Sequence, residues 1–447
     1  NDGCQQLFLT QMCVQIIPIG ERKFHRVKHL YRIAVLKSSA IHYHANMNWQ
    51  ALLDPKIQAF IAAHAGDDVK ALALKKPPEK RWPYPLILDQ IKARQKAAKK
   101  MPGWLEHSGM IFPPSDLIEQ ASSNVCALYK ASIVNGESFA DLTGGSGMDS
   151  FALLTANFKS GIAVEHNDKA AQILAHNAEI LGLNERLSVE AMKAEDFIKT
   201  MPCVDLIYLD PQRRDEGRKG KFDLSACTPD ITALMPTLLE KCAAILLKTS
   251  PVLDIHKTIA DLEYVREVHV VQYQGDCKEL LFLLDCAHKT DPAAVHIKAV
   301  NLDESGHILT GFDFTPAEEK HKSAPYSAPM AYIYEPGPAF QKAGGYNVMA
   351  SKFGLNKLHP NTHLYTGNDI IEGFPGRKFT LEGECAVNKK ELKKLLPTMK
   401  ASLTVRNFPF TPEALRKKLS LKEGSATTIF ACELHNGRKA LLKCKKI

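Results

Sequence analysis

The chain has 447 residues, 45% of them apolar and 24% charged, a composition that builds two to four packed units rather than one domain or a disordered polymer. No run of eighteen apolar residues occurs, so no membrane-spanning helix is implied. Eleven scattered cysteines without a single Cys-x-x-Cys argue against a zinc site or a disulfide framework and fit reduced thiols in a cytoplasmic protein, while the net charge of +8 becomes informative only through its distribution.

Residues 1–46 carry no motif and read as an N-terminal extension ahead of a natural start at Met47. The apolar patch Leu7 to Ile19 lacks a positive flank, so a signal peptide is not expected. Residues 47–110 are expected to be helical. Leu52, Leu53, Ile57, Phe60 and Ile61 recur at helical spacing, and a basic helix, Leu86 to Lys100, resumes after the breaks at Pro77-Pro78 and Pro83. Its lysines read as a solvated face. Phe112 to Ser123 caps a helix expected to reach Lys130, on which Gln120 and Ser122 are candidates to face a ligand.

From 111 to 288 strands and helices alternate. Strands are expected at 137–142, 161–165, 187–191, 204–209 and 243–247, with helices at 149–157, 169–181 and 232–241 between them. Two more strands, 265–274 and 278–284, meet at Gly275-Asp276 and are expected to supply an antiparallel edge. Alternation of this kind makes an α/β fold, a doubly wound, Rossmann-like sheet of seven strands. Residues 289–375 read as a hairpin followed by a small β-containing insert. Residues 376–447 read as a compact α+β module. This module holds 17 Lys and Arg against 6 Glu, a net of +11, whereas the remainder holds 40 basic and 43 acidic residues. Such a tail is what a polyanion-binding module requires, and RNA is the expected partner.

Chemistry concentrates at the strand ends of the 111–288 region. Phe139-Ala140-Asp141-Leu142-Thr143-Gly144-Gly145-Ser146-Gly147-Met148-Asp149 runs a strand into a glycine turn and then a helix, so backbone can approach a ligand closely. A dinucleotide fold uses a similar loop, but Asp141 ahead of the glycines suits a methionine ammonium group and repels a pyrophosphate. The cofactor expected is therefore S-adenosylmethionine, with Asp141, Thr143, Gly144, Gly145 and Gly147 around it. Glu165 ends the second strand, where a carboxylate can accept both hydroxyls of a ribose. After the third strand the slot for an adenine-binding acid holds Lys193. Glu195 or Asp196, or backbone alone, is left to serve, with helix N-terminal charge as the bland alternative. Asp205 to Leu209 then delivers Asp210-Pro211-Gln212-Arg213-Arg214 to the carboxyl end of the sheet. Asp210 and Pro211 offer acceptors that can hold an exocyclic amine, and Arg213 and Arg214 can stack on a base or clamp a phosphate. No metal is expected.

With these motifs the chain resembles the class I methyltransferases of the THUMP-like-domain group, bacterial proteins with a ferredoxin-like insert. The resemblance runs from Met47 to the end. It implies cofactor binding by Asp141, Gly145, Gly147 and Glu165, an active site at Asp210-Pro211, and RNA binding through the THUMP-like tail. It departs at one point: amino-methylating relatives read Asp/Asn-Pro-Pro-aromatic where this chain has Gln212 and Arg213. The expected function is methylation of a tRNA or rRNA base. The competing readings are an inert RNA-binding protein on the same fold and a nicotinamide-dependent oxidoreductase, the latter leaving Asp141 without a role.

Overall fold

A computed structural model describes residues 48–213 and 224–447. The described residues form two compact units, one ending at Lys96 and the other beginning at Ala97. The extension read over residues 1–46 lies outside the described residues. In the first unit, Asp54 and Asp68 cap the short helices Pro55–Ala63 and Val69–Ala73 by accepting backbone N–H bonds at 2.8 and 2.9 Å. Ile57, Ile61 and Leu72 form the buried side of these helices, and the Tyr84 hydroxyl donates to the Leu72 carbonyl.

In the second unit the single helix expected up to Lys130 is two, Ser115–Gln120 and Asn124–Ser132. The break has a local cause. The Lys100 ammonium donates to the carbonyls of Ile118, Glu119 and Ala121, satisfying the end of the first helix, and Ser123 accepts the N–H of Cys126 to start the second.

The strands that follow are β1 (Ser138–Asp141), β2 (Ser160–Val164), β3 (Leu187–Glu190), β4 (Val204–Leu209), β5 (Gln212–Arg213), β6 (Cys227–Thr228), β7 (Cys242–Thr249), β8 (Val265–Tyr273), β9 (Asp276–Asp285), β10 (His296–Leu302) and β11 (Ile308–Phe314). Nine of them form one sheet in the order β11-β10-β8-β9-β7-β4-β1-β2-β3, while β5 and β6 pair separately. Strands β3, β2, β1, β4 and β7 are parallel. The seven strands expected from the sequence are thus joined by two more, because β10 pairs in parallel with β8 and brings β11 with it.

The β8–β9 hairpin also does not lie at the edge. Strand β9 inserts between β7 and β8, antiparallel to both. Its run Leu280 to Leu284 is buried throughout, which an edge with one solvated side would not need.

The remaining strands, β12 (Tyr332–Pro336), β13 (Asn356–Lys357), β14 (Tyr365–Gly367), β15 (Gly376–Ala386), β16 (Ser402–Arg406), β17 (Thr428–Glu433) and β18 (Lys439–Lys446), make a second sheet in the order β13-β14-β12-β15-β18-β17-β16. The insert and the basic tail therefore share one sheet through the β12–β15 pair. On one face Phe379, Phe430 and Leu442 pack with Ile333, Leu358 and Leu364 of the insert. On the other, the tail helices Lys389–Leu395 and Pro412–Leu419 bury Leu392, Leu415 and Leu419 against Ile429 and Leu441. The outer sides of these two helices leave Lys389, Lys390, Lys393, Lys394, Lys417 and Lys418 exposed.

Candidate active site

Four parallel strands end on the same side of the first sheet, and the loops leaving them make the candidate site. Asp141 closes β1. It is 1% exposed, accepts the Ser150 hydroxyl at 2.6 Å and the Thr143 N–H at 2.9 Å, and so fixes the turn that follows it. Burial pushes its carboxyl up to about 7, with the charges of Asp149 and Asp210 adding to the effect and the two hydrogen bonds opposing it. The glycine loop then needs its glycines. Gly145 and Gly147 have φ of +51° and +84°, and a Cβ on Gly147 would sit 2.6 Å from the Phe151 ring.

Glu165 follows the end of β2 with little exposure. Its two oxygens accept the Gly145 N–H at 3.1 Å and the Asn167 N–H at 2.8 Å, tying the second strand end to the loop from the first. Thr143 makes a third tie by accepting the Asp210 N–H at 2.7 Å. Asp141, Thr143, Gly144, Gly145, Gly147, Glu165 and Asp210 are thus one connected group. Glu195 is half-buried after β3, while Asp196 is exposed and pairs with Lys199 at 2.8 Å. Pro211 is half-buried beside Asp210. The side chains of Gln120 and Arg213, and all of Arg214, lie outside the described part of the molecule.

Beneath this group lies a cluster of charges that sequence reading missed. Lys130, on the helix before β1, is 1% exposed. It donates to both oxygens of Glu279 at 3.0 and 3.1 Å and to Ser122 at 3.0 Å, and its ammonium lies 3.1 Å from Asp149 Oδ1. Ser122 and Tyr208 each donate to Asp149 Oδ2 at 2.9 Å. The hydroxyl of Ser122, a residue read as facing a ligand, takes part in this cluster. Lys248, at the end of β7, forms an ion pair with Asp210. Strand pairing explains this: Leu209 lies opposite Leu247, so the next residues of β4 and β7 emerge side by side.

Burial alone would lower the pKa of both lysines, but carboxylates outweigh it. Asp149 and Glu279 hold Lys130 charged, and Asp210 does the same for Lys248. Burial raises the Asp149 carboxyl, and Lys130 and Lys248 more than reverse this. Each lysine bears on the Asp149 and Glu279 carboxyls, so the cluster acts as one electrostatic unit. A usable signal was present at one position: Lys248 ends the apolar strand Ala243 to Leu247 as Asp210 ends β4.

The residues fit a nucleoside cofactor bearing a positive charge. Two buried carboxylates stand at adjacent strand ends around a loop open to close backbone approach. The Thr249 hydroxyl beside Lys248 is buried with no hydrogen-bond partner among the described residues. No group of three or more metal-binding side chains occurs among the described residues.

Residues 105–274 match the family described as conserved hypothetical protein 95, residues 332–375 a ferredoxin-like domain, and residues 376–446 a THUMP domain-like family. No curated protein matches the chain. Among solved structures, a candidate methyltransferase from Porphyromonas gingivalis W83 is 32% identical, with 90% of this chain and 99% of that one covered and a TM-score of 0.79. TrmK of M. capricolum, solved with S-adenosyl-homocysteine, is 14% identical over 38% of this chain and 71% of that one, with a TM-score of 0.31. A candidate RNA methyltransferase from Pyrococcus horikoshii is 14% identical over 41% and 89%, with a TM-score of 0.27. On the near-complete match to the first of these, and with its three family segments in series, the chain belongs to the class I S-adenosylmethionine-dependent methyltransferases that carry a ferredoxin-like insert and a THUMP-like module.

Proposed function

We propose that this chain is an active enzyme that methylates RNA, with Asp141 and Glu165 holding the cofactor and Asp210 at the reacting centre. The observation that carries the reading is that the Asp141 and Glu165 carboxylates and the backbone N–H of Asp210 are all hydrogen-bonded to one glycine loop at the carboxyl end of the sheet. Bound there, S-adenosylmethionine supplies an electrophilic methyl group. Asp141 then answers the ammonium of the amino-acid end, and Glu165 exchanges its backbone partners for ribose hydroxyls. Glu195 is the nearer candidate for the adenine side, since Asp196 is spent on Lys199. Pro211 stiffens the turn after Asp210, and the guanidinium groups of Arg213 and Arg214 are the proposed means of stacking on a base or clamping a phosphate. The described cysteines are all free and no described helix is long and apolar enough to cross a membrane, in keeping with a cytoplasmic enzyme. Tritiated-methyl incorporation into RNA, with nicotinamide cofactors as a binding control, tests the reading. Incorporation into no RNA pool would favour an inert RNA-binding protein.

Asp141 gives the cofactor site a pH signature. Its native carboxyl holds a proton up to about 7, whereas the unfolded one ionises near 4, so the carboxyl costs the fold stability as pH rises between these values. A cationic ligand favours the carboxylate and reverses that preference. Binding of S-adenosylhomocysteine, which keeps the ammonium, is therefore expected to weaken as pH falls through 7 and to release a proton there. Calorimetry in buffers of differing ionisation enthalpy reads that proton, and Asp141→Asn is expected to abolish it. An affinity flat from about pH 6 to 8 would remove Asp141 as the cation's partner.

For RNA, the support is the lysine-bearing outer side of the two tail helices. Deleting the tail is a poor test, because β15 pairs with β12 and the two segments share a core. Changing Lys389, Lys390, Lys393, Lys394, Lys417 and Lys418 to Gln leaves that core alone. The log-affinity for single-stranded RNA is expected to lose about 0.7 of its salt slope for each lysine that meets a phosphate. An unchanged slope would make this surface a solvated one.

A further inference from the structure

The expectation of an amine acceptor rested on the Asp210 side chain and nearby carbonyls as acceptors, yet Lys248 is paired with the Asp210 carboxylate. Of the buried charges, Asp149 and Glu279 are spent on Lys130 inside the protein. The pair nearest the surface is Asp210, with 31% of its side chain exposed, and Lys248, with 14%. What meets the substrate here is an acceptor and a cationic donor side by side.

That combination selects among the nucleophiles RNA can offer. An exocyclic amine has two N–H groups and one lone pair, and the lone pair must attack; an ammonium beside it competes for that pair and repels the positive charge growing on nitrogen. A bare ring nitrogen has no proton for the carboxylate. A hydroxyl has one proton and two lone pairs, so it can donate to a carboxylate, accept from an ammonium and keep a pair for attack. Within an RNA strand the aliphatic hydroxyl is the ribose 2′-OH.

We propose that Asp210 and Lys248 bind a ribose 2′-hydroxyl of RNA as the methyl acceptor, with Lys248 donating to its oxygen and Asp210 taking its proton. This rests on the RNA methyltransferase reading above. The hydroxyl oxygen forms the new bond to the methyl carbon as the carbon–sulfur bond breaks, its electron pair remaining on sulfur. The hydroxyl proton passes to the Asp210 carboxylate, which returns it to solvent. A carboxylate is base enough, because an oxygen that has gained a methyl group while keeping its proton is strongly acidic. Lys130 acts one layer deeper as a positioning residue. It pairs with Asp149 and Glu279, so that Lys248 has Asp210 as its partner. The opposing charges hold the Lys248 ammonium protonated against burial, which suits a donor rather than a base.

The test uses full-length protein, tritiated-methyl S-adenosylmethionine and RNA purified from cells in which the gene is deleted. A 2′-O-methyl group blocks alkaline cleavage of the adjoining phosphodiester, so the label is expected in alkali-stable dinucleotides. Label in base-methylated mononucleotides would overturn the proposal and leave the RNA methyltransferase reading standing. Label in no RNA would overturn that reading and this proposal with it. Lys248→Met is expected to lower incorporation by about two orders of magnitude or more, with S-adenosylhomocysteine affinity by calorimetry changed less than about threefold. Lys248→Arg keeps the charge and serves if the methionine variant does not fold. A readout independent of turnover is the Lys248 side-chain resonance in protein carrying 13C-labelled lysine with S-adenosylhomocysteine bound. It is expected to shift on adding single-stranded RNA and to stay in place with single-stranded DNA of the same sequence. Equal shifts with both would overturn the proposal.

Discussion

Asp210→Ala is expected to lower methyl incorporation by about three orders of magnitude, near the middle of the range for loss of a positioned acid–base group. The variant removes the carboxylate that takes the acceptor's proton and also the anion that holds Lys248 in place. Cofactor affinity should change little, because Asp141 and Glu165 reach the glycine loop through their own hydrogen bonds. RNA affinity should persist as well, since the basic helices belong to the other sheet. Single-turnover incorporation, calorimetry and a filter-binding assay read these three quantities separately. Wild-type turnover in the variant would remove Asp210 from the reacting centre, and parallel loss of all three would point to a damaged fold. Arg213→Lys is a useful companion, because only a planar or bidentate guanidinium fails when its charge is preserved.

Lys130→Met is expected to destabilise the fold by about 3–5 kcal/mol, the cost of leaving a buried charge without its partner. Glu279 is 2% exposed and receives both of its described side-chain hydrogen bonds from Lys130. Denaturant melts at neutral pH measure the loss. Adding Glu279→Gln in the same chain should recover part of it, because the amide no longer carries a charge that needs an ammonium. The pH dependence follows from the carboxylate. The Asp149 carboxyl lies below its ordinary value, so its contribution is present above about pH 4 and is lost as pH falls through the native value. In the Lys130→Met variant that acid-side loss should begin at higher pH. A variant that melts with the wild type would show that the cluster contributes no net stability.

Segments whose signal is local were legible in the sequence. The strand, three-glycine turn and helix from Phe139 to Asp149 lie in eleven consecutive residues. Their conformation is fixed by neighbours along the chain: Thr143 to Asp141, and Gly147 N–H to the Gly144 carbonyl at 2.7 Å. Glu165 and Asp210 could be placed because each follows an apolar strand, and in a parallel sheet those ends meet. The tail's charge needed only counting.

Two kinds of information required the folded chain. One is strand order beyond the parallel core. A hairpin reads the same at an edge or inside a sheet, and the choice fell to burial on both faces of Leu280 to Leu284 and to the pairing of β10 with β8. The other is the charge cluster. Lys130 and Glu279 are 149 residues apart and Asp210 and Lys248 are 38 apart. A single lysine on an amphipathic helix or at a strand end has no local signature, since the sequence gives no sign that it will be stripped of water. The sequence determined the glycine loop because its geometry is made by adjacent residues. Only the tertiary structure could decide the charge cluster beside that loop, because its charges come from five separate segments brought together by burial.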